Sequence, residues 1–99
     1  MTNRRAAKNS FRLYVTGHSN HAQTDTENLR KICESIYQGD CEIEIIDVLL
    51  SPEKAEIDHI LATPTLIKIA PPPERRVIGD LSDAKKVFAA LGLAPDENH

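Results

Sequence analysis

No stretch of this 99-residue sequence is long and apolar enough to cross a bilayer. The longest apolar segment, Ile43 to Leu50, is interrupted by Glu44 and Asp47 and falls far short of the roughly 20 residues a transmembrane helix requires. No signal peptide is expected either. The basic start, Met1-Thr2-Asn3-Arg4-Arg5-Ala6-Ala7-Lys8, leads directly into a strand-like segment, with no apolar region or cleavage site, so a cytoplasmic location is expected. Positive charge is not in excess: the formal net charge is −3, which argues against nucleic acid as a partner, because phosphate neutralisation needs a surplus of Lys and Arg on one face. Arg4, Arg5 and Lys8 read as a solvated tail spanning residues 1–10. Cysteine is scarce. Cys33 and Cys41 lie eight positions apart on what read as different elements, fit neither a disulfide framework nor a zinc site, and are expected as reduced thiols. His18 and His21, without a Cys or carboxylate ligand beside them, do not define a metal site. Asp25, Glu27 and Glu34 along the first helix read as a solvated face, not as an acid–base pair. No catalytic residue, cofactor or metal is expected.

What is present is the composition of one small folding domain. Apolar residues make up 40% of the chain and charged residues 27%, enough aliphatic material for one modest core. Phe11, Leu13 and Val15 alternate with Arg12 and Tyr14, placing three apolar side chains on one face of a first strand. After the turn-rich Thr16-Gly17-His18-Ser19-Asn20, residues Leu29, Ile32, Cys33 and Ile36 recur at helical spacing until Gly39, predicting a helix over about 22–37. Thr24 with Glu27 is one candidate capping box; Ser19 or Asn20 would cap an earlier start. Cys41, Ile43 and Ile45 alternate with Glu42 and Glu44 and continue through Ile46, Val48 and Leu49 as a second strand, closing a right-handed β-α-β unit with parallel strands.

Ser51-Pro52-Glu53 has the form of a helix start, with a hydroxyl cap, proline at the first position and a carboxylate at the positive end of the dipole, and Ile57, Ile60 and Leu61 are expected to give this helix a short buried face. Thr63-Pro64-Thr65 introduces Leu66-Ile67-Lys68-Ile69, and Arg75-Arg76-Val77-Ile78 follows the break at Pro71-Pro72-Pro73, predicting an antiparallel pair of short strands. Ser82 is the candidate cap for a last helix whose Ala84, Val87, Phe88 and Leu91 share a stripe, with Gly92 at its end. The expected architecture is a single α/β domain, β-α-β-α-β-β-α around a mixed four-stranded sheet, over residues 11–93, with short tails at 1–10 and 94–99.

That order, with Thr63-Pro64-Thr65 leading into the third strand, resembles the thioredoxin fold, in which the proline corresponding to Pro64 is typically cis. Thioredoxins carry a Cys-x-x-Cys where this chain reads Thr16-Gly17-His18-Ser19-Asn20-His21-Ala22, and thiol exchange needs a thiolate activated at a helix N-terminus. A thiol- or glutathione-dependent enzyme is therefore the second reading of the fold. The more specific resemblance is to the KaiB family. It is carried by Leu13-Tyr14-Val15, Ile45-Ile46-Asp47-Val48-Leu49, Ile60-Leu61-Ala62-Thr63-Pro64-Thr65-Leu66, Pro71-Pro72-Pro73 and Arg75-Arg76-Val77-Ile78-Gly79-Asp80-Leu81-Ser82. The resemblance implies a non-enzymatic regulator that binds the N-terminal ring of a KaiC-like ATPase, in a circadian clock, a timer or a stress response. It implies partner-binding residues at Glu56, His59, Ile60, Ala62, Thr63, Pro64, Arg75 and Arg76. It also implies fold switching, between a monomeric thioredoxin-like binding state and a homo-oligomer, dimer or tetramer, with a different C-terminal half; Asp80, Ala90 and Gly92 fall where that balance is set.

Three departures from the family pattern stand out. Ala90-Leu91-Gly92 replaces the Gly-Leu-Asp of cyanobacterial relatives, which favours the helical state of this segment. Glu42 and Glu44 stand where clock-type relatives have a small residue and a lysine linked to KaiA, which counts against KaiA as a partner; a charge-protected strand edge is the alternative account. His59 replaces a lysine and reads first as a solvated helix position, with a partner altered to match the weaker charge as the alternative account.

Overall fold

A computed structural model describes residues 9–92. Its elements are β1 (Asn9–Val15), α1 (Asn20–Tyr37), β2 (Cys41–Asp47), α2 (Pro52–Ile57), β3 (Thr65–Ala70), β4 (Arg75–Ile78) and α3 (Ala84–Ala90). The sheet runs in the order β2-β1-β3-β4, with β1 and β2 parallel and the remaining pairs antiparallel. This is the expected mixed sheet. The first strand begins two residues earlier than its apolar alternation indicates, taking in Asn9 and Ser10 of the expected tail, while residues 1–8 and the whole expected tail 94–99 lie outside the described residues.

The two faces of β1 bury different partners. Phe11, Leu13 and Val15 point into the main core, where Leu29 and Ile32 of α1, Leu66, Leu81, and Val87 and Leu91 at α3 close around them. Tyr14 points to the opposite face and meets Ile46 and Ile67, with Val48, Ala55 and Ile60 packed from the α2 side. The result is three layers, α1 and α3 against one face and α2 against the other. Burying each such aliphatic side chain contributes roughly 1.5–3 kcal/mol, so the α1 face holds most of the stability.

Ser19 is the N-cap of α1, its Oγ accepting the Ala22 N–H at 3.1 Å, which settles the early start. The helix stops because Gln38 and Gly39 adopt left-handed conformations, φ 53° and 81°, and both donate their N–H groups to the Cys33 carbonyl. That reversal brings Cys41 back beside α1, and Cys33 and Cys41 are joined by a disulfide with a Cα–Cα separation of 6.2 Å. The expectation of reduced thiols is corrected: being on different elements does not place two residues apart when a left-handed turn folds one element onto the other.

Two further expectations change. The cap of α3 is Asp83, whose Oδ1 accepts the Lys86 N–H at 3.3 Å; Ser82 instead donates its N–H and its hydroxyl to Asp80, each at 2.9 Å. Asp25, read as part of a solvated face, is only 7% exposed. Burial raises its pKa, and the carboxylate of Asp80 adds to this, against the opposing pull of the Leu81 N–H and of His21. A raised folded-state pKa contributes stability below the unfolded value and loses it as pH rises through the folded one, so the charged carboxylate is a cost at neutral pH. Asp25→Asn, which keeps an acceptor for Leu81, is expected to raise the melting temperature at pH 7 and leave it unchanged near pH 3. A melt series across that range decides it; a drop at pH 7 would show that Asp25 is held by partners favouring its charge.

Candidate docking surface

The second helix is an unusual element to find ordered. It has six residues, none of them buried, and Ser51 at its start makes no side-chain cap. Its backbone terminates in a Schellman arrangement: the His59 N–H reaches the Glu56 carbonyl at 3.1 Å and the Ile60 N–H reaches Ala55 at 2.9 Å. His59 occupies the left-handed position of this motif, φ 57°, which glycine usually fills. It is therefore not a helix position but the residue that ends the helix. His59→Gly is expected to raise unfolding free energy by about 0.5 kcal/mol, the relief of roughly 1 kcal/mol of backbone strain less the added unfolded-state entropy of glycine. Denaturant midpoints measure it, and a loss of stability would assign the imidazole a packing role.

What holds α2 to the sheet is a polar cluster centred on Asp58. The Tyr14 hydroxyl lies 2.6 Å from Asp58 Oδ2 and 3.1 Å from the Lys54 carbonyl, and donates its single proton to the nearer carboxylate. Arg12 donates from Nη1 to the same Asp58 oxygen at 2.9 Å and from Nε to Glu44 at 3.1 Å; Lys54 reaches the other Glu44 oxygen at 3.4 Å. Burial, together with Asp58 as acceptor, pushes the Tyr14 hydroxyl up to about 12. Burial also pushes Asp58 upward, but the Tyr14 hydroxyl and the Arg12 guanidinium outweigh it and hold the carboxyl below its usual range. Glu44 is shifted down in the same way by Arg12 and Lys54 against a burial effect.

Glu44 thus bridges β2, β1 and α2, which corrects the view of it as simple edge protection, while Glu42 is exposed. None of Arg12, Tyr14 or Asp58 was marked by sequence reasoning. The signal available was their shared face: Arg12 and Tyr14 alternate with the core residues of β1 and must face whatever covers the other side of the sheet.

Beyond Asp58, the chain from Ala62 to Pro64 is held by three bonds. Thr65 Oγ1 donates to the Ala62 carbonyl and the Thr16 and Thr63 hydroxyls pair, both at 2.6 Å; the Gly79 N–H meets the Pro64 carbonyl at 2.9 Å. The Thr63–Pro64 bond is cis, as are Ala70–Pro71 and Pro72–Pro73. The buried Lys68 donates from Nζ to the Pro71 carbonyl at 2.7 Å, anchoring the proline run. The paired arginines part company. Arg76 sits opposite Ile67 on the α2 face, its charge helping to lower the Asp58 pKa and its Nε 3.5 Å from Glu74; Arg75 is on the other face, beside Gly92. Glu56, His59 and Ile60 thus line one groove and Arg76 shares the α2 face, whereas Thr63 and Pro64 border the start of α1 and Arg75 lies behind the sheet.

This surface is apolar at its outer points. Ile57 is 73% exposed and Leu61 95%, so of the expected buried face of Ile57, Ile60 and Leu61 only Ile60 packs inward, and a groove of about 470 Å³ is lined by Val48, Pro52, Ala55, Glu56, His59, Ile60 and Leu61. Large neighbouring exposed apolar side chains are the mark of an interaction surface. No cysteine lies near Pro64: Cys33 is in the last turns of α1, roughly 20 Å from the start of the helix at 1.5 Å per residue. Among the described residues no three His, Cys, Asp or Glu side chains are grouped as a metal site, and no helix is long and apolar enough to cross a membrane.

Comparison with known proteins agrees with this architecture. A family model described as the KaiB domain matches residues 12–93. The circadian clock oscillator protein KaiB of Prochlorococcus marinus strain NATL2A is 52% identical over 87 residues, covering 88% of this chain and 81% of that protein. The KaiB of strain MIT 9312 is 48% identical over 94 residues, covering 93% and 90%. Among solved structures, the N-terminal domain of Synechococcus elongatus SasA superimposes with a TM-score of 0.72 at 21% identity, covering 96% of this chain and 93% of that one. Chloroplastic thioredoxin z gives 0.68 at 19% identity, covering 88% and 79%. At such identities these two likenesses establish the thioredoxin-like fold.

Proposed function

Since the chain belongs to the KaiB family, we propose that it is a non-enzymatic cytoplasmic regulator in a clock or related timing system, acting by docking on the ring of a KaiC-like ATPase. The observation that carries this reading is α2 itself: a helix with no buried residue, fixed by the Asp58 cluster, whose Ile57 faces outward together with Leu61 of the segment that follows it. Ile57 and Leu61 supply the apolar centre of the contact. Glu56, His59, Ile60, Ala62, Thr63 and Pro64 form its body and Arg76 its charged rim, where a guanidinium pairs well with carboxylates. Arg75, on the opposite face, contributes only where the partner wraps around the β4 edge. Glu42 and Glu44 place two carboxylates on β2 where clock-type relatives have a small residue and a lysine, which disfavours KaiA as a partner.

In the same reading the thioredoxin-like form described here is the binding-competent one, and the homo-oligomer belongs to the alternative fold. The helical Ala84–Ala90 and the left-handed Gly92, φ 76°, support a balance that lies toward the binding state, with Asp80 ordering the turn before α3. The test is to mix the protein with the KaiC-like ATPase of the same organism under both nucleotide states and follow co-elution and ATP hydrolysis over time. A complex that changes the hydrolysis rate is expected, and Leu61→Glu should abolish it without altering the fold. Absence of a complex in every nucleotide state would overturn the reading.

A further inference from the structure

The Cys33–Cys41 disulfide serves none of the functions above. It lies at the far end of α1 from the docking surface, and several features make it more than a passive staple. The two residues are held together by bonds that do not involve sulfur. The Cys33 carbonyl accepts the Gln38 and Gly39 N–H groups, the Cys41 N–H donates to the Gly39 carbonyl at 2.9 Å, and Asn9 Nδ2 donates to the Asp40 carbonyl at 3.0 Å. Cys41 is also in register with Asn9 in the β1–β2 ladder. Cleaving the sulfur bridge therefore leaves the thiols facing each other, ready to close again. Access is asymmetric as well: Cys33 is buried among the core residues, whereas Cys41 is partly exposed at the first position of an edge strand, behind the exposed turn Gln38-Gly39-Asp40.

We propose that Cys33 and Cys41 form a reversible dithiol–disulfide site that exchanges electrons with a soluble dithiol, and that its redox state sets the order of the α1–β2 turn. In the reducing direction a thiolate of the dithiol attacks the accessible Cys41 sulfur, forming a mixed disulfide and expelling Cys33 as a thiolate, which takes up a proton. The second thiolate of the reductant then attacks its own mixed-disulfide sulfur and releases Cys41, which is protonated in turn. Two electrons and two protons enter the protein, and the dithiol leaves as a cyclic disulfide. Once the bridge is open, the turn is held by these hydrogen bonds alone, so the thiols stay within reach of each other while the last turn of α1 and the start of β2 open more often. The inference is independent of the ATPase partner, since it concerns the isolated protein.

The test equilibrates the full chain with reduced and oxidised dithiothreitol over a range of ratios, alkylates it, and counts modified thiols by intact mass. One transition from zero to two modified thiols per chain is expected, at a midpoint independent of protein concentration. Amide hydrogen exchange is then compared at the two extremes. Exchange at Gln38, Gly39 and Cys41 should be at least tenfold faster in the reduced form, while Leu66 and Ile67 in β3 are unchanged. Cys33→Ser and Cys41→Ser should both show the fast exchange at every ratio; Cys41→Ser, at the less buried position, guards against a fold disturbed by a buried hydroxyl. Two modified thiols at all ratios, a bridge formed only between chains, or equal exchange in the two redox states would each overturn the proposal.

Discussion

Asp58→Ala is expected to loosen α2 from the sheet, costing about 2 kcal/mol of unfolding free energy and at least tenfold in docking affinity for the proposed KaiC-like partner. The carboxylate receives the Tyr14 hydroxyl at 2.6 Å and Arg12 at 2.9 Å, and its side chain is 20% exposed. Removing it leaves a hydroxyl on a fully buried tyrosine with only the Lys54 carbonyl for a partner, at 3.1 Å, and leaves Arg12 with Glu44 alone. Stranding one member of a partly buried charged hydrogen bond costs roughly 1.5–3 kcal/mol, and the partial exposure of Arg12 and Asp58 places the estimate toward the middle of that range. Few other contacts hold the helix, since only Ala55 and Ile60 pack beneath it.

Tyr14→Phe, which removes the hydroxyl and leaves the ring in place, should cost about 1 kcal/mol, and the double variant less than the sum of the two, because both remove the same bond. The folded-state pKa of Asp58 is depressed, so its contribution is present above the unfolded value of about 3.8 and disappears as pH falls through the folded one. Urea midpoints of the native chain and of Asp58→Asn should therefore converge in acid and diverge above about pH 4. Parallel pH profiles, or unchanged docking by Asp58→Ala, would remove the cluster from the account of the docking surface.

In the proposed equilibrium between two folds, Ala90→Gly combined with Gly92→Ala is expected to shift the balance away from the helical C-terminal segment by about 30-fold. The helix α3 has seven residues and buries only Val87 fully, so its margin is small. Glycine inside a helix costs about 0.5–1 kcal/mol, and a Cβ at a position with φ 76° costs roughly another 1 kcal/mol. The added methyl would meet the Arg75 guanidinium at 3.5 Å, ordinary contact, so the penalty lies in the backbone and not in a clash. Together these approach 2 kcal/mol, enough to turn a minor conformer into a major one where two folds lie within a few kcal/mol. Secondary chemical shifts over residues 83–91 read the outcome. Helical shifts that persist unchanged in the double variant would show that α3 is held by Val87 and Leu91 alone and that these two positions do not set the balance.

Much of the fold was legible because its determinants are local. The alternation of Phe11, Leu13 and Val15 and the helical recurrence of Leu29, Ile32 and Cys33 each span a few residues, and each predicts the face that is buried. The proline at the start of α2 and the glycine after α3 mark chain punctuation through their own backbone preferences. The candidate site was legible in part, as the segment from Glu56 to Pro64, because it is contiguous. The split of Arg75 from Arg76 follows from strand geometry alone, but which of them shares a face with α2 required the register of β4 against β3.

What the sequence determined by itself is the order of elements, the composition of the main core and the absence of a cysteine pair beside Pro64. What only the tertiary structure decided is everything that depends on residues meeting across the fold. Arg12 and Tyr14 find Asp58 across separations of 46 and 44 residues, Glu44 finds Arg12 across 32, and Cys33 meets Cys41 because a left-handed turn reverses the chain. Caps and periodicities act within one or two turns of chain, so they are written in the sequence where they act. Long-range polar bonds are set by strand register and helix placement, and these follow from the packing of the whole core rather than from any segment of it.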